Sequence, residues 1–134
     1  MATWEEIKNH IIKKYPVFDA HNDGCYFYTE RWTDDDRILE AAISKTMKIK
    51  DGVSDIWIEI ESPVGEMGYF EVECACEYLA SDCVCGGLVK KRGDEYFVRH
   101  TMPIKNMSLG ALDKCWSIII NAADEIKKRY LGDE

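Results

Sequence analysis

Hydrophobic residues follow a helical spacing near the start of the chain. Four of them lie three or four positions apart: Trp4, Ile7, Ile11 and Tyr15. This spacing places them along one face of an amphipathic helix. Thr3 and Glu6 match a capping box, in which each side chain bonds the backbone of the other residue. The pattern predicts a short amphipathic helix that ends before Pro16.

The last part of the chain shows the same spacing over a longer distance. Seven hydrophobic residues recur at steps of three and four: Leu109, Leu112, Trp116, Ile119, Ala123, Ile126 and Tyr130. Ser108 precedes the run as a helix cap, and Gly132 ends it. The basic residues at 127–129 suit the negative end of a helix dipole. We therefore predict a long amphipathic helix at the C-terminal end.

Between these helices, hydrophobic and polar residues alternate every second position, which is typical of half-buried strands. Residues 25–32 are rich in aromatic side chains, and a turn-like sequence at 21–24 precedes them. In residues 53–62, isoleucines occupy every second position from 56 to 60, while tryptophan and glutamates occupy the positions between. We expect Ser62-Pro63 to end this strand.

Asp51-Gly52 lies between residues 37–49 and 53–62 and is a strong hairpin signal. Residues 33–43 also have helix propensity, with Thr33 as a possible cap. Because the hairpin follows directly, a strand is the better prediction for the second half of this segment.

A second hairpin is predicted further along the chain. Residues 86–91 and 95–104 both have strand composition, and Gly93 lies in the turn between them. Pro103 is expected to end the second of these strands.

Residues 66–80 fit two patterns. Alternate positions from Phe70 to Tyr78 are hydrophobic, as in a strand. Phe70, Cys74 and Tyr78 are also four positions apart, and Met67 extends this stripe, as in a helix. The pattern alone leaves both structures open.

The composition fits one folded domain over residues 1–134, since 46% of the residues are hydrophobic and 31% are charged. This length is sufficient to bury a core. The net charge of −8 would repel phosphate backbones, so nucleic acid is not expected as a partner. A basic peptide or a basic protein surface remains possible.

The first ten residues have neither the basic nor the apolar region of a secretory signal. The hydrophobic runs are also much shorter than the ~20 residues that a membrane helix needs. We therefore expect a cytoplasmic protein with no membrane partner. In that compartment the six cysteines stay reduced, so a disulfide framework is not expected.

Four of the six cysteines form two Cys-x-Cys pairs: Cys74, Cys76, Cys83 and Cys85. Structural zinc sites usually use Cys-x₂₋₄-Cys spacing, because two ligands from one turn must converge on a tetrahedral ion. Thioredoxin-like redox sites use Cys-x-x-Cys at the start of a helix. Neither spacing is present here, so burial as small hydrophobic side chains is the favoured interpretation. A metal- or thiol-dependent sensor or enzyme centred on these four cysteines is the alternative.

Other chemically reactive residues give weaker signals. Alternation places Arg99 and His100 on opposite faces of one strand, which argues against a joint anion-binding or catalytic site. His10 and His21 are isolated from any ligand nearby in sequence. The aspartates at 34–36 lack the spacing of a calcium loop and indicate a solvated turn. Nucleophile-elbow, P-loop, dinucleotide-binding and HExxH motifs are missing, so we assign no catalytic residue and expect no enzyme.

Five pieces of the sequence, in this order, resemble the YbjN family, which has a type III secretion chaperone-like fold. They are Arg37, IWIEIESPVG at 56–65, GGLV at 86–89, YFVRHTMPI at 96–104 and AADEIKKRYL at 122–131. The resemblance implies an α+β fold in the order α-β-β-β-α-β-β-α, with helices packed on an antiparallel sheet. It also implies that residues 66–80 form the middle helix. The Cys-x-Cys pairs are a departure from the family.

The resemblance further implies a non-enzymatic protein-binding, chaperone-like or regulatory module without a cofactor, whose client is undefined. Secretion chaperones of this fold are small, acidic and dimeric, so a homodimer is expected. The last helix is a candidate surface for self-association, because Cys115 and Ile120 widen its apolar stripe. The alternative is that both residues belong to the core.

Overall fold

The computed structural model describes residues 3–21, 25–50 and 53–132, which form three α-helices, one short 3₁₀ turn and a six-stranded sheet. In chain order the elements are α1 (Trp4–Lys14), β1 (Val17–His21), β2 (Tyr26–Trp32), β3 (Ile38–Lys50), β4 (Val53–Glu66), α2 (Tyr69–Asp82), β5 (Gly87–Lys90), β6 (Glu95–Pro103), the 3₁₀ turn (Ile104–Asn106) and α3 (Leu109–Tyr130). The predicted α+β class with a long C-terminal helix is confirmed.

The strands lie in the order β1-β2-β3-β4-β6-β5, and every neighbouring pair is antiparallel. β3 and β4 pair from Lys50–Val53 to Ala42–Glu61, as the predicted hairpin requires. The Asp51-Gly52 turn itself lies outside the described residues, as do residues 22–24 of the predicted turn before β2. The structure also contains a short edge strand, β1, before the strands that the sequence predicts. Its residues show no clear alternation of hydrophobic and polar side chains, so it was not expected.

All three helices pack on one side of the sheet. Fully buried side chains of α1 and α3, such as Ile7 and Leu112, form a single core with Ile43, Ile58 and Ile60 of the two central strands. Directly paired residues of an antiparallel sheet point to the same side. The opposite side, which we call the open face, carries Tyr26, Tyr28, Glu30, Glu40, Ala42, Trp57, Glu59, Glu61, Phe97 and Arg99.

Residues 69–82 form the middle helix, so the helical alternative for 66–80 is correct. The backbone N–H of Gly68 donates to the Glu71 carboxylate at 2.9 Å, which satisfies one free donor at the helix start. Within α2 only Ala75 and Leu79 are buried. Such a narrow buried stripe explains why hydrophobic spacing could not separate helix from strand.

Pro63 does not end β4, contrary to the prediction. The strand continues to Glu66 through an irregularity in its pairing with β6 between Pro63 and Gly65. Gly65 adopts a φ of +124°, which a residue with a side chain rarely reaches. Pairing with β3 has already ended at Glu61. The bulge therefore accommodates proline within an interior strand.

Thr33 begins a tight turn and caps no helix. Its hydroxyl accepts a hydrogen bond from the backbone N–H of Arg37 at 3.0 Å, and β3 starts at Ile38. The preference for a strand is thus confirmed. The remaining predicted caps are also confirmed, with a Thr3–Glu6 capping box on α1 and Ser108 accepting from the Ala111 N–H on α3.

α3 packs across the centre of the sheet with a wide buried surface. Ile120 is fully buried in the core of its own chain, and Cys115 packs against that core. The alternative that these two residues belong to the core of their own chain is therefore favoured over a self-association surface. None of the described helices is both long and apolar enough to cross a membrane.

Two polar contacts fix α3 against the sheet. The Trp116 indole N–H donates to the Thr29 hydroxyl at 2.8 Å, and this hydroxyl donates to the Ala41 carbonyl at 2.6 Å. Arg37 forms a bidentate pair with Asp124, with its closer nitrogen 2.6 Å from Oδ1. Burial would raise the pKa of Asp124, but the bonds and charge of Arg37 lower it overall.

Replacing Thr29 by valine keeps the shape and removes the hydroxyl that links Trp116 to the sheet. Because both partners of this hydroxyl are buried, we expect the free energy of unfolding to fall by about 1–3 kcal/mol. Urea denaturation measures this loss, provided that the m-value is the same for the variant and the wild type. Thr101→Val, the same change on the open face, should cost much less, and equal losses would contradict the proposed importance of the Trp116 bond.

Candidate functional site

The four cysteines of the Cys-x-Cys pairs do not converge. Cys74 and Cys76 lie on α2, Cys83 follows its last residue, and Cys85 lies in the connection to β5. Cys83 and Cys85 pack against the core, as expected for hydrophobic filling. Cys76 is exposed, so the core-packing prediction is wrong for this residue. All six cysteines of the chain are free thiols.

Cys85 instead lies close to His100 and Cys115, two residues that are distant from it in sequence. The sulfurs of Cys85 and Cys115 and a ring nitrogen of His100 all lie within 4.8 Å of one another. The two sulfurs are 3.9 Å apart. β6 supplies the histidine, α3 supplies Cys115, and each side chain is partly buried. We call these three residues the thiol–imidazole cluster.

Sequence reasoning missed this cluster, although part of the signal was present. His100 pairs with Ile60 and therefore points to the helix side of the sheet, while Arg99 pairs with Glu61 on the open face. The prediction that Arg99 and His100 face opposite ways is confirmed. Cys115 precedes Trp116 in the predicted stripe of α3. The sequence pattern gave no signal for where Cys85 lies relative to α3.

Gly86 brings Cys85 into the cluster. Its φ is +103°, and a Cβ at this position would lie 2.7 Å from Cδ1 of Ile119 and 3.4 Å from Cγ1 of Val98. The positive φ favours glycine here, and a larger residue would also have to displace the end of the Ile119 side chain. The turn at Gly86 thus has a packing role as well.

Burial controls protonation in the cluster. It raises the pKa of the Cys85 thiol to about 12, together with the neighbouring thiols of Cys115 and Cys83. Burial also lowers the pKa of His100. At neutral pH Cys85 is therefore protonated, and His100 is a neutral imidazole that keeps a lone pair for a hydrogen bond or a ligand.

The open face contains a cavity of about 190 Å³. Its walls come from β2, β3, β4, β6 and the β5–β6 turn: Tyr26, Tyr28, Glu40, Ala41, Ala42, Glu61, Pro63, Lys91 and Phe97. We call it the open-face groove. The rings of Tyr26 and Tyr28 meet edge to face with centroids 4.9 Å apart. Aromatic and charged groups thus line one small depression.

Glu61 organises one wall of the open-face groove. Its carboxylate is 9% exposed and accepts hydrogen bonds from Lys91 and from Arg99, whose Nε is 2.8 Å away. The Lys91 ammonium also lies 4.5 Å from the centre of the Phe97 ring. Lys91 and Arg99 both pair with Glu61, so these three side chains together carry one net positive charge.

The open face also carries the carboxylates of Glu30, Glu40 and Glu59, which outnumber that positive charge. Glu30 and Glu40 lie directly opposite each other on β2 and β3. Burial, the hydrogen bond with Tyr28 and the nearby Glu61 and Glu59 raise the pKa of Tyr26 to about 12. The Tyr26 hydroxyl therefore stays neutral beside these carboxylates.

A wider cavity of about 430 Å³ lies where the end of β4 meets α3. Its lining residues are Val64, Gly65, Glu66, Lys127 and Leu131. One acid and one base on a surface without aromatic side chains give this cavity little means of selecting a ligand.

The remaining candidate residues have structural roles. His10 Nε2 lies 2.8 Å from Oδ1 of Asp113, and Tyr15 donates to the same oxygen, so these contacts join α1 to α3. The His21 side chain lies outside the described residues. Residues 34–36 form an exposed turn in which Asp35 accepts from Arg37 at 2.9 Å, as the sequence predicted.

The chain matches no known protein-family model, and a search of curated proteins finds no match either. The resemblance to the YbjN family therefore stays a prediction.

Gly86→Ala tests how the Cys85 segment is held. We expect a loss of about 1–3 kcal/mol from backbone strain and a similar additional loss from overpacking against Ile119. Gly93→Ala is the matched control, since Gly93 also has a positive φ (+59°) but open space around it. This control should lose only about 1–2 kcal/mol. Equal melting temperatures for the two variants would show that the contact with Ile119 is unimportant.

Proposed function

We propose that the protein is a non-enzymatic binding module whose open face holds an extended, basic segment of another protein. The observation that carries this proposal is the open-face groove, where the rings of Tyr26, Tyr28 and Phe97 lie beside the carboxylate of Glu40, which is itself directly opposite Glu30. The resemblance to a chaperone-like family supports the same class of function.

The chemistry of the open face favours a cation. Aromatic rings attract lysine and arginine side chains through cation–π contacts. Carboxylates placed directly opposite each other, as in Glu30 and Glu40, destabilise a sheet through repulsion. A bound lysine or arginine would relieve this repulsion. The net charge of −8 would also accelerate encounters with a basic partner.

The size of the groove favours a side chain over a free small molecule. Its 190 Å³ is below the ~300–1,000 Å³ of typical small-molecule pockets. One arginine or lysine of a segment lying across the face would fit this volume. Strand addition at a sheet edge is less suitable, because the edge strands β1 and β5 have only five and four residues.

Short labelled peptides test this proposal by fluorescence anisotropy at low and high salt. A peptide with alternating lysine and arginine should bind, its acidic counterpart should not, and salt should weaken the binding. Glu40→Lys replaces attraction by repulsion at the groove. We expect it to weaken binding about tenfold or more, equivalent to about 1.4 kcal/mol.

Glu73→Lys makes the same charge change on the exposed side of α2 and should leave the affinity nearly unchanged. Tyr28→Ser should weaken binding without any change in charge. Equal binding of acidic and basic peptides, or equal effects of Glu40→Lys and Glu73→Lys, would contradict an open-face site for basic segments.

We also propose that the protein forms a homodimer through the start of α2. Tyr69 and Phe70 are adjacent in sequence and 81% and 70% exposed, which is unusual for large apolar side chains. The stripe of α3 is occupied by the core of its own chain, so this exposed pair is the more suitable surface.

Light scattering after size-exclusion chromatography measures the mass in solution. Wild type should show twice the mass of one chain, and Phe70→Ser should shift the mass towards a monomer. Trp32→Ser removes another exposed aromatic side chain, 60% exposed at the end of β2, and should leave the dimer intact. A monomeric wild-type protein at high concentration would exclude this proposal.

A further inference from the structure

We propose that Cys85, His100 and Cys115 bind one zinc ion or a similar soft divalent cation. This inference is independent of the open face, since the cluster lies on the helix side of the sheet. It also differs from the site suggested by the Cys-x-Cys pairs, of which only Cys85 takes part.

The spacing of the three side chains suits a tetrahedral ion. Zn–S bonds of about 2.3 Å at a tetrahedral angle place two sulfurs about 3.8 Å apart. The two sulfurs of the cluster are 3.9 Å apart. The imidazole nitrogen lies within 4.8 Å of both, whereas about 3.6 Å is ideal. A shift of the imidazole nitrogen by at most about 1.2 Å towards the sulfurs would close this difference.

The ligand types select the kind of metal. The metal would displace the thiol protons of Cys85 and Cys115, which are released to water. The resulting two thiolates and an imidazole favour zinc and other soft or borderline ions, whereas calcium and magnesium require oxygen ligands. The fourth position is left to water, because the cluster contains three protein ligands and is only partly buried. Three protein ligands with one open position is a known arrangement for zinc.

The cluster is also preorganised by the fold. Ile119 lies one helical turn after Cys115 and contacts the position of Gly86, the residue that follows Cys85. The contact between α3 and the turn at Gly86 therefore fixes the positions of two of the three ligands, Cys115 and Cys85. A bound ion would join α3, β6 and the segment before β5, and would stabilise the folded chain because unfolding separates its ligands.

Cobalt titration of the reduced full-length protein tests the site directly. We expect one equivalent of Co²⁺ to bind with sulfur-to-cobalt charge-transfer absorption and the visible bands of a tetrahedral ion, and Zn²⁺ to displace it. Cys85→Ser, Cys115→Ser and His100→Gln each remove a ligand. Each should weaken cobalt binding by more than the roughly 10- to 100-fold typical of groups that only orient a ligand.

Cys74→Ser and Cys76→Ser are the matched controls and should bind cobalt as wild type does. A second measurement needs no variant: saturating zinc should slow alkylation of Cys85 and Cys115 but not of Cys74 and Cys76, as read by peptide mass spectrometry. Absence of charge-transfer absorption in wild type would overturn the proposal. Equal cobalt binding by the site and control variants, or equal alkylation of all four thiols with zinc, would also do so.

Discussion

The two-residue alternation of β4 determines which side chains face the helices and which face the open side. Ile58 and Ile60 are fully buried beneath the helices, while Glu59 and Glu61 lie on the open face. Because β4 pairs with both β3 and β6, it imposes this division on the centre of the sheet. A slip of one residue would place glutamates in the core, so burial of the isoleucines fixes the register strongly. Both proposed sites depend on that register.

α3 is the second element on which the sites depend, and buried polar contacts determine its position. Apolar packing alone tolerates small rotations and shifts of a helix. The Trp116–Thr29 hydrogen bond and the Arg37–Asp124 ion pair each demand a specific arrangement, since a lost partner would leave a buried polar group unsatisfied. With α3 fixed in this way, Cys115 lies opposite β6 and within reach of Cys85.

Elements with local signals could be predicted from the sequence. The caps and regular spacing of α1 and α3, and Asp51-Gly52 between alternating runs, depend on residues close together in the chain. α2 was ambiguous because its buried stripe is only Ala75 and Leu79. The continuation of β4 past Pro63 depends on a bulge in its pairing with β6, and this pairing has no local signal.

The thiol–imidazole cluster shows the same limit for a candidate site. The close spacing of Cys74 and Cys76 suggested a possible metal or thiol site, yet Cys76 is exposed on α2 and takes no part in the cluster. Cys85 and His100 lie 15 residues apart in the sequence, as do His100 and Cys115. The connection before β5, β6 and α3 bring these three residues together. Alternation alone correctly placed Arg99 and His100 on opposite faces of β6. The glycine conformation that brings Cys85 to α3 has no counterpart in hydrophobic spacing.

The two proposed sites meet at one strand, although they lie on opposite faces of the sheet. Consecutive residues of β6, Arg99 and His100, belong to the Glu61 wall of the groove and to the thiol–imidazole cluster, respectively. The β5–β6 hairpin also carries Phe97 and Lys91. A single strand with alternating side chains thus gives a physical connection between the two faces.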